Sequence, residues 1–357
     1  MAFGLIDTSF IDFPANVDNA YLRGLQLRSG INFTEMASRV DAALAAVNAG
    51  VDPLIASLLA PPTTSATAPG GRNGTMTVTK KSQYTPARPQ LVETTGHMLA
   101  IDELDIALGF TEDGLNEISL DNFQAQVDAM RDALELAMRR DVLYRLFTDA
   151  EIPIDLNATA TSPGFAGSGT GANVFAAVYP DGTPLEGNYT HYYRDATANR
   201  AAVVKAARSR LLKWGGDTVE LIGSQTSIDA LVALGDFVYA GSPLVRVGSG
   251  SAEAVVDPMT YIGVYDKNIL VRKPLTDFTE DHYALFRSNG QFAAGNPLVP
   301  RYDELRGFAA YVRSRDQFPL AQSNAMWKYG VNVNNRVGAA LIKIASSGSY
   351  SAPSITY

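Results

Sequence analysis

Residues 119–148 read SLDNFQAQVDAMRDALELAMRRDVLYRLFT, and this stretch has the strongest helical pattern in the sequence. Apolar side chains recur along it every three or four positions, at Phe123, Val127, Met130, Leu134, Met138 and Val142. Ser119 is a good N-cap, because its hydroxyl can accept a hydrogen bond from a backbone N–H of the first turn. The spacing predicts one amphipathic helix from Ser119 to Thr148, about 40 Å long at about 1.5 Å per residue.

The sequence before this helix begins with residues 1–18, which have no hydrophobic period and predict an extended arm. Two amphipathic helices are predicted next, at 19–29 and from the N-cap candidate Thr34 to Gly50. The apolar residues of the second helix recur at helical spacing: Met36, Val40, Leu44 and Val47. Pro53 then opens a short apolar turn that runs to Leu59, at a position where a helix tolerates proline.

Between these helices and the long helix, the sequence predicts a two-stranded β-ribbon. Residues 61–74 are almost entirely Pro, Thr, Ser, Ala and Gly, and strand-like runs follow at Thr75–Lys80 and Leu91–Ile101. Residues 84–89 contain two prolines and form the tip. An isolated ribbon is marginal in water, so it must lie on its own domain or on another subunit. The alternative interpretation is a surface loop.

The second half of the chain predicts α/β packing. Residues 152–190 are rich in Gly, Pro and Thr, with one strand-like run at 174–179. A basic helix is predicted at 195–214. A strand at Val219–Ile222 then leads to Ser224 or Thr226 as the cap of a helix through Leu234. Further strands are predicted at Tyr261–Val264, Asn268–Arg272, Tyr283–Arg287 and Phe308–Arg313.

The C-terminal region predicts a β-hairpin. Residues 326–333 and 336–344 are strand-like, and Asn334 and Asn335 stand between them. Asn at both turn positions suits the positive φ of a type I′ turn.

Composition limits the function classes. The 357 residues suffice for two domains or for one elongated subunit. Charged residues make up 18%, below the roughly 25% of typical soluble domains. This low fraction fits a surface covered by partners, and it also fits the large core of a monomer.

No basic segment precedes an apolar stretch at the N-terminus and no apolar run could span a bilayer, so neither a signal peptide nor a membrane contact is expected.

Motifs of catalysis are absent from the sequence. It has no cysteine, and its histidines (His97, His191 and His282) form no pair at metal-ligand spacing. The Gly-rich stretches at 164–171 and 248–250 lack the Lys-Ser/Thr of a phosphate-binding loop. We therefore expect no catalytic residues, no cofactor and no metal, so the protein is expected not to be an enzyme. A pair of catalytic carboxylates in a secreted enzyme is the alternative from a different class.

Charge is segregated along the chain. Residues 89–130 contain no Lys or Arg but many acidic residues, while the segment 301–315 contains four Arg. The predicted basic helix adds Arg200, Lys205, Arg208, Arg210 and Lys213. Opposite charges on one chain can orient neighbouring copies head to tail, which makes these five residues candidates for inter-subunit charge contacts. Two solvated faces of a monomer would give the same pattern.

The order of these parts resembles the major capsid protein of tailed bacteriophages, the α+β Hong Kong 97-like fold that encapsulin shells share. The resemblance assigns residues 1–60 to an N-terminal arm with helices and 61–100 to the E-loop ribbon. It assigns 101–193 to the P-domain, with 119–148 as its spine helix, and 194–320 to the A-domain. Residues 321–357 become the closing P-domain hairpin and tail. The ending YGVNVNNRVGAALIKI, 329–344, is similar to the terminal strand pair of the family.

The resemblance implies a structural protein that assembles into hexamers and pentamers of an icosahedral shell around phage double-stranded DNA, without sequence-specific binding. It implies a scaffolding protein, a portal and a decoration protein as further partners, assembly in the host bacterial cytoplasm, and a final location in the virion. The E-loop residues expected at the subunit interface are Lys80, Lys81, Tyr84 and Arg88. An encapsulin-type compartment with protein cargo is the alternative within this fold.

Some members of the family crosslink an E-loop lysine to a P-domain asparagine with help from a glutamate. Lys80 and Lys81 lie in the matching ribbon, and Asn332, Asn334 and Asn335 lie in the matching hairpin. The last glutamate of the chain, however, is Glu304, and a carboxylate is needed near the lysine to take its proton. The sequence therefore predicts a shell held together without covalent bonds.

Overall fold

The computed structural model describes the following residues: 33–66, 71–73, 93–95, 99–111, 117–150, 152–153, 161–162, 165, 192–195, 199–212, 218–240, 246–247, 254–255, 260–266, 268–275, 281–305, 307–317, 320–335, 338–345 and 351–355. Five predicted elements lie outside these residues, namely the arm at 1–18, the helix at 19–29, the ribbon strand at 75–80, the tip of the ribbon at 84–89, and the strand at 174–179.

The described helices are α1 (Phe33–Ala49), α2 (Pro53–Leu58), α3 (Leu120–Phe147), α4 (Arg200–Leu212) and α5 (Gln225–Val232). The described strands are β1 (Gly71–Asn73), β2 (Glu93–Thr95), β3 (Asp102–Thr111), β4 (Ile152–Pro153), β5 (Thr161–Ser162), β6 (Tyr192–Asp195), β7 (Val219–Gly223), β8 (Phe237–Tyr239), β9 (Arg246–Val247), β10 (Ala254–Val255), β11 (Tyr261–Tyr265), β12 (Ile269–Arg272), β13 (His282–Arg287), β14 (Leu298–Tyr302), β15 (Tyr311–Gln317), β16 (Leu320–Val333) and β17 (Ala339–Ile344). None of the described helices is both long and apolar enough to cross a membrane.

The strands form two larger sheets and three short pairs. One sheet has seven strands in the order β6-β17-β13-β7-β12-β11-β8, and the other has four strands that meet on β16. The short pairs are β1-β2, β4-β5 and β9-β10.

The described residues divide into two compact units that are each discontinuous in sequence. The first unit comprises residues within 1–52, 101–139 and 302–330. The second comprises residues within 53–100, 140–301 and 331–357. Each unit is therefore built from three separate segments of the sequence.

The long helix predicted at 119–148 is confirmed as α3. The Ser119 hydroxyl accepts a hydrogen bond from the Asn122 N–H at 3.3 Å, as expected of an N-cap. The six apolar residues of its predicted stripe are all buried. Burial of such a stripe is what stabilises an amphipathic helix in a protein.

In the first unit, α1 and the N-terminal part of α3 lie with a sheet centred on β16. The four apolar residues predicted for α1 are buried, although the helix begins at Phe33, one residue before the predicted cap Thr34. The Arg39 guanidinium of α1 donates to the Gln124 side chain of α3 at 3.3 Å. Strand β16 pairs antiparallel with both β15 and β3.

In the second unit, the seven-stranded sheet is buried at its centre. Every residue of β7 and of β13 is buried, so these strands are covered on both faces. Helices α4 and α5 pack on one face of this sheet and share a hydrophobic core with it. The buried residues of this core are Val204, Ala207, Leu211, Val219, Leu221, Ile228, Leu231, Tyr265, Ile269, Val271, Tyr283, Leu285, Ala340 and Ile342. The predicted cap of α5 is confirmed, since the Ser224 side chain accepts from the Ser227 N–H.

The predicted C-terminal hairpin is wrong. Strand β17 does not pair with β16; it pairs antiparallel with β13 and parallel with β6. Asn334 and Asn335 do not turn the chain back, because both backbone N–H groups donate to the Pro297 carbonyl at 2.8 and 3.0 Å. The chain then continues into the seven-stranded sheet, where residues 339–342 are fully buried. That burial outweighs the local preference of Asn-Asn for a tight turn.

The described part of the ribbon is the antiparallel pair β1-β2. Gly71 lies opposite Thr95, and Asn73 lies opposite Glu93. This register agrees with a ribbon that leaves after Asn73 and returns before Glu93. The predicted second strand, Leu91–Ile101, contains β2.

A buried ion pair joins two strands of the seven-stranded sheet. Arg272 of β12 donates to the Glu220 carboxylate of β7 at 2.5 Å, and both side chains are less than 10% exposed. Ser288 donates to the other Glu220 oxygen at 2.6 Å, and Arg272 also donates to the Ser57 hydroxyl of α2 at 3.2 Å. The Tyr261 ring lies 5.3 Å from the Arg272 guanidinium carbon. Each charge is therefore paired and hydrogen-bonded, the condition under which buried charges are tolerated.

We predict that Arg272→Ala lowers the free energy of unfolding by about 3–5 kcal/mol, because it leaves the Glu220 carboxylate buried without its cation. Chemical denaturation followed by circular dichroism measures this loss. Lys273→Ala, at the exposed neighbouring position, is the control and should change stability by about 0.5 kcal/mol or less. Equal effects of the two substitutions would contradict the structural role of the ion pair.

Candidate assembly surfaces

The E-loop residues predicted at the subunit interface are Lys80, Lys81, Tyr84 and Arg88, and all four lie outside the described residues. Their role at an interface stays a prediction. The described base of the ribbon is the β1-β2 pair.

The predicted basic helix is α4, and several of its charges have partners within the same chain. Arg200 is buried and donates to the Ala230 carbonyl at 3.2 Å. Lys205 lies 3.8 Å from the Asp236 carboxylate, with both side chains at least half exposed. Exposed pairs of this kind contribute about 0–1 kcal/mol. Arg210 is half-buried, and Lys213 lies outside the described residues.

Arg208 has a structural role at the turn between β11 and β12. Its guanidinium donates both to the Asp266 carboxylate at 2.5 Å and to the Asp266 backbone carbonyl at 3.2 Å. Asp266 has φ +46°, in the left-handed region that costs energy for residues other than glycine. The two bonds hold the turn in this conformation. The candidate role of the α4 charges between subunits stays a prediction.

The asparagines of the candidate crosslink are all hydrogen-bonded to the backbone. Asn332 is fully buried, and its side-chain amide donates to the Ala100 carbonyl at 2.9 Å and accepts from the Ala100 N–H at 2.7 Å. The Asn334 amide donates to the carbonyls of Ala294 and Asn296. The Asn335 amide donates to the Gly295 carbonyl at 3.1 Å. These bonds give the asparagines a structural function in the second unit.

We predict that Asn332→Leu destabilises the second unit by about 2–4 kcal/mol, because the Ala100 N–H and carbonyl remain buried without a partner. Thermal or chemical unfolding measures the loss. Asn334→Ala is the comparison, since its bonds lie at a more exposed position and its loss should be about 1 kcal/mol. If Asn332→Leu were as stable as the natural chain, the amide bonds to Ala100 would not be structural.

His282 is buried and links the C-terminal segment to β13. Its Nδ1 lies 3.0 Å from the Asp281 carboxylate, and its Nε2 lies 2.9 Å from the Ser351 carbonyl. The Phe147 ring contacts the imidazole edge to face. His97 and His191 lie outside the described residues. Within the described residues, no group of three or more His, Asp or Glu side chains could hold a metal ion.

Large apolar side chains are exposed at three of the described positions: Val238 (45%), Tyr239 (58%) and Leu305 (89%). Two of them are neighbours on β8, an edge strand of the seven-stranded sheet. Sequence patterns did not identify them, because a short Phe-Val-Tyr strand looks the same whether it lies at the centre or at the edge of a sheet.

The two units differ in net charge, but the segregation seen in the sequence does not follow their boundary, because Arg306, Arg313 and Arg315 of the basic segment 301–315 belong to the first unit. The sequence of the first unit contains 9 Lys and Arg against 19 Asp and Glu, a net charge of −10. The sequence of the second unit contains 20 against 18, a net charge of +2. The whole negative excess of the chain therefore belongs to the first unit.

Comparison with solved structures identifies similar chains over nearly the full length. A chain from Mycobacterium phage Patience is 17% identical, with a TM-score of 0.61, and the match covers 91% of this chain and 92% of that chain. A chain of the capsid of a native GTA particle is 13% identical, with a TM-score of 0.50 and coverage of 83% and 92%. No protein-family model and no curated protein matches the sequence. At these identities the likeness establishes the fold, and it confirms the α+β class.

Proposed function

The chain has the Hong Kong 97-like capsid fold, and we propose that it is the structural subunit of a phage capsid shell. The observation that carries this proposal is the likeness to the Mycobacterium phage Patience chain, which extends over about nine-tenths of both chains. The likeness to a chain of the GTA particle capsid supports it as well. A match of this extent includes both units, so it does not rest on one shared module.

In the proposed shell, hexamers and pentamers of this chain enclose double-stranded DNA, and no subunit has a catalytic role. The net charge of −8 opposes tight wrapping of nucleic acid by the subunit, because such binding requires many contacts of Lys and Arg with phosphate. A wall that encloses DNA without reading its sequence does not need them. A scaffolding protein, a portal and a decoration protein are the proposed partners, with assembly in the bacterial cytoplasm.

The size of the purified protein tests the proposal. A shell elutes in the void volume of a sizing column, and light scattering then gives a mass of many times 38.2 kDa. A small monodisperse monomer would contradict the shell and would favour the alternative of a carboxylate enzyme. Particles that contain protein cargo but no DNA would support an encapsulin-type compartment and would contradict the phage capsid.

We predict that shortening the ribbon prevents assembly but leaves the subunit folded. Asn73 and Glu93 lie opposite each other, so residues 74–92 can be replaced by a two-residue Asn-Gly turn without disturbing the β1-β2 register. The variant should elute as small species, with a thermal unfolding midpoint close to that of the natural chain. A second variant, with 74–92 replaced by a Gly/Ser linker of equal length, separates the loss of specific side chains from the loss of length. Normal shells from both variants would show that the ribbon is not an assembly element.

We predict that the shell is held together without covalent bonds. The sequence after Asp316 contains no carboxylate side chain, and the amides of Asn332, Asn334 and Asn335 are hydrogen-bonded to backbone carbonyls. Boiled particles should therefore run on a denaturing gel as one band near 38.2 kDa. A ladder of multiples that disappears in a Lys80→Arg, Lys81→Arg variant would contradict this prediction.

A further inference from the structure

Strand β8 forms one edge of the seven-stranded sheet, and its exposed residues are apolar. It pairs antiparallel with β11, with Val238 opposite Val264 and Tyr239 opposite Gly263. The Phe237 and Tyr239 rings contact each other edge to face, with centroids 5.0 Å apart. Because side chains of a strand alternate between faces, the exposed Val238 and Tyr239 lie on opposite faces of the sheet. The strand is therefore uncovered on both sides of this edge.

The backbone hydrogen bonds determine which groups of β8 face outward. The Ala240 N–H donates to the Ile262 carbonyl at 2.8 Å, and the Asp236 carbonyl accepts from the Asp266 N–H at 3.2 Å. Every second residue of an antiparallel strand forms its backbone hydrogen bonds with the same neighbouring strand. Val238 lies midway between Asp236 and Ala240, so its N–H and carbonyl also point toward β11. The N–H and carbonyl groups of Phe237 and Tyr239 therefore point away from the sheet. Among the described residues, no backbone partner pairs with them.

The contact between β8 and β11 is close, so the edge has a defined position. A Cβ at Gly263 would collide with the Val238 carbonyl oxygen and with the Phe237 ring. Glycine at this position lets the Phe237 ring lie over the backbone of β11. The outward N–H and carbonyl groups of Phe237 and Tyr239 are therefore fixed in position by the sheet. Pairing with another strand would not require an additional loss of conformational entropy to order them.

Edge strands that remain in water are usually protected by charged side chains, proline or bulges. Strand β8 is short, but its sequence Phe-Val-Tyr contains no charged residue and no proline. Exposed apolar residues next to open backbone groups are typical of a surface that another strand covers.

The charges around β8 favour a second copy of this chain as the partner. Asp236 lies next to Lys205, and Asp266 pairs with Arg208, so the acidic groups near this edge are balanced by basic groups of α4. Identical surfaces repel when they have a net charge of one sign. The second unit, with a net charge of +2, can meet a copy of itself at lower electrostatic cost than the first unit, with −10.

We propose that the open edge of β8 docks onto a neighbouring copy of this chain, where Phe237 and Tyr239 bond through their backbone to an extended segment and Val238 and Tyr239 become buried. The proposal rests on the proposed shell function and names one of its subunit contacts. Backbone pairing gives the contact its register, and the apolar side chains exclude water from it.

Hydrogen exchange at single-residue resolution tests this contact directly. Shells and unassembled subunits are separated on a sizing column and labelled in parallel. The amides of Phe237 and Tyr239 should exchange at least about tenfold more slowly in the shell, because they gain hydrogen-bond partners there. The Val238 amide is the internal control and should be slow in both states. Equal exchange of Phe237 and Tyr239 in both states would overturn the proposal.

A double variant, Val238→Lys with Tyr239→Lys, provides the second test. It should still fold, with an unfolding midpoint lowered only slightly by the loss of the Phe237–Tyr239 ring contact, and its shell yield should fall at least about tenfold. Gln225→Lys, at an exposed position of α5 in the same unit, is the control for added charge. An equal fall in the control, or a normal shell yield from the double variant, would overturn the β8 contact. If the natural chain itself formed no shell, the proposed function would fail instead.

Discussion

The buried ion pair between Arg272 and Glu220 constrains how the second unit can be assembled from its separate segments. Two charges can remain at the centre of a sheet only while each has its full set of partners, and these come from β7, β12, helix α2 and the residue after β13. The network therefore requires separate parts of the chain to be in place together. Loss of one partner leaves a buried charge uncompensated, so we expect these parts of the unit to unfold together.

A sheet that is buried at its centre is a suitable base for subunit contacts. Its far edge, β8, is held against β11 at Gly263, and the ion pairs of α4 balance the acidic groups beside it. In a shell, each copy contributes many modest contacts, so strength comes from their sum. The negative excess of the first unit then acts against non-specific association and against binding of DNA to that unit.

Local patterns in the sequence predicted much of the fold. The stripe of α3, the Ser224 cap and the strands β7, β11, β12 and β13 depend on nearby residues, and they were found. Long-range pairing was not predictable in this way. The predicted turn at Asn334-Asn335 is wrong because β17 becomes more deeply buried beside β13 than it would be in a hairpin. Strand β3 was missed because its acidic residues are unusual in strands, while its pairing with β16 involves residues more than 200 positions away in the sequence. The exposure of Val238 and Tyr239 follows from the position of β8 in the sheet, which depends on all the other strands.

Electron cryomicroscopy of the purified particles shows whether copies of this chain form a closed shell. We expect closed shells in which copies of this chain form rings of five and six, with the ribbon of each copy lying on a neighbour. Density for both units should be present in every copy, and a strand of an adjacent copy should lie along β8. Discrete small oligomers, or single subunits without a closed shell, would show that the chain is not a shell subunit.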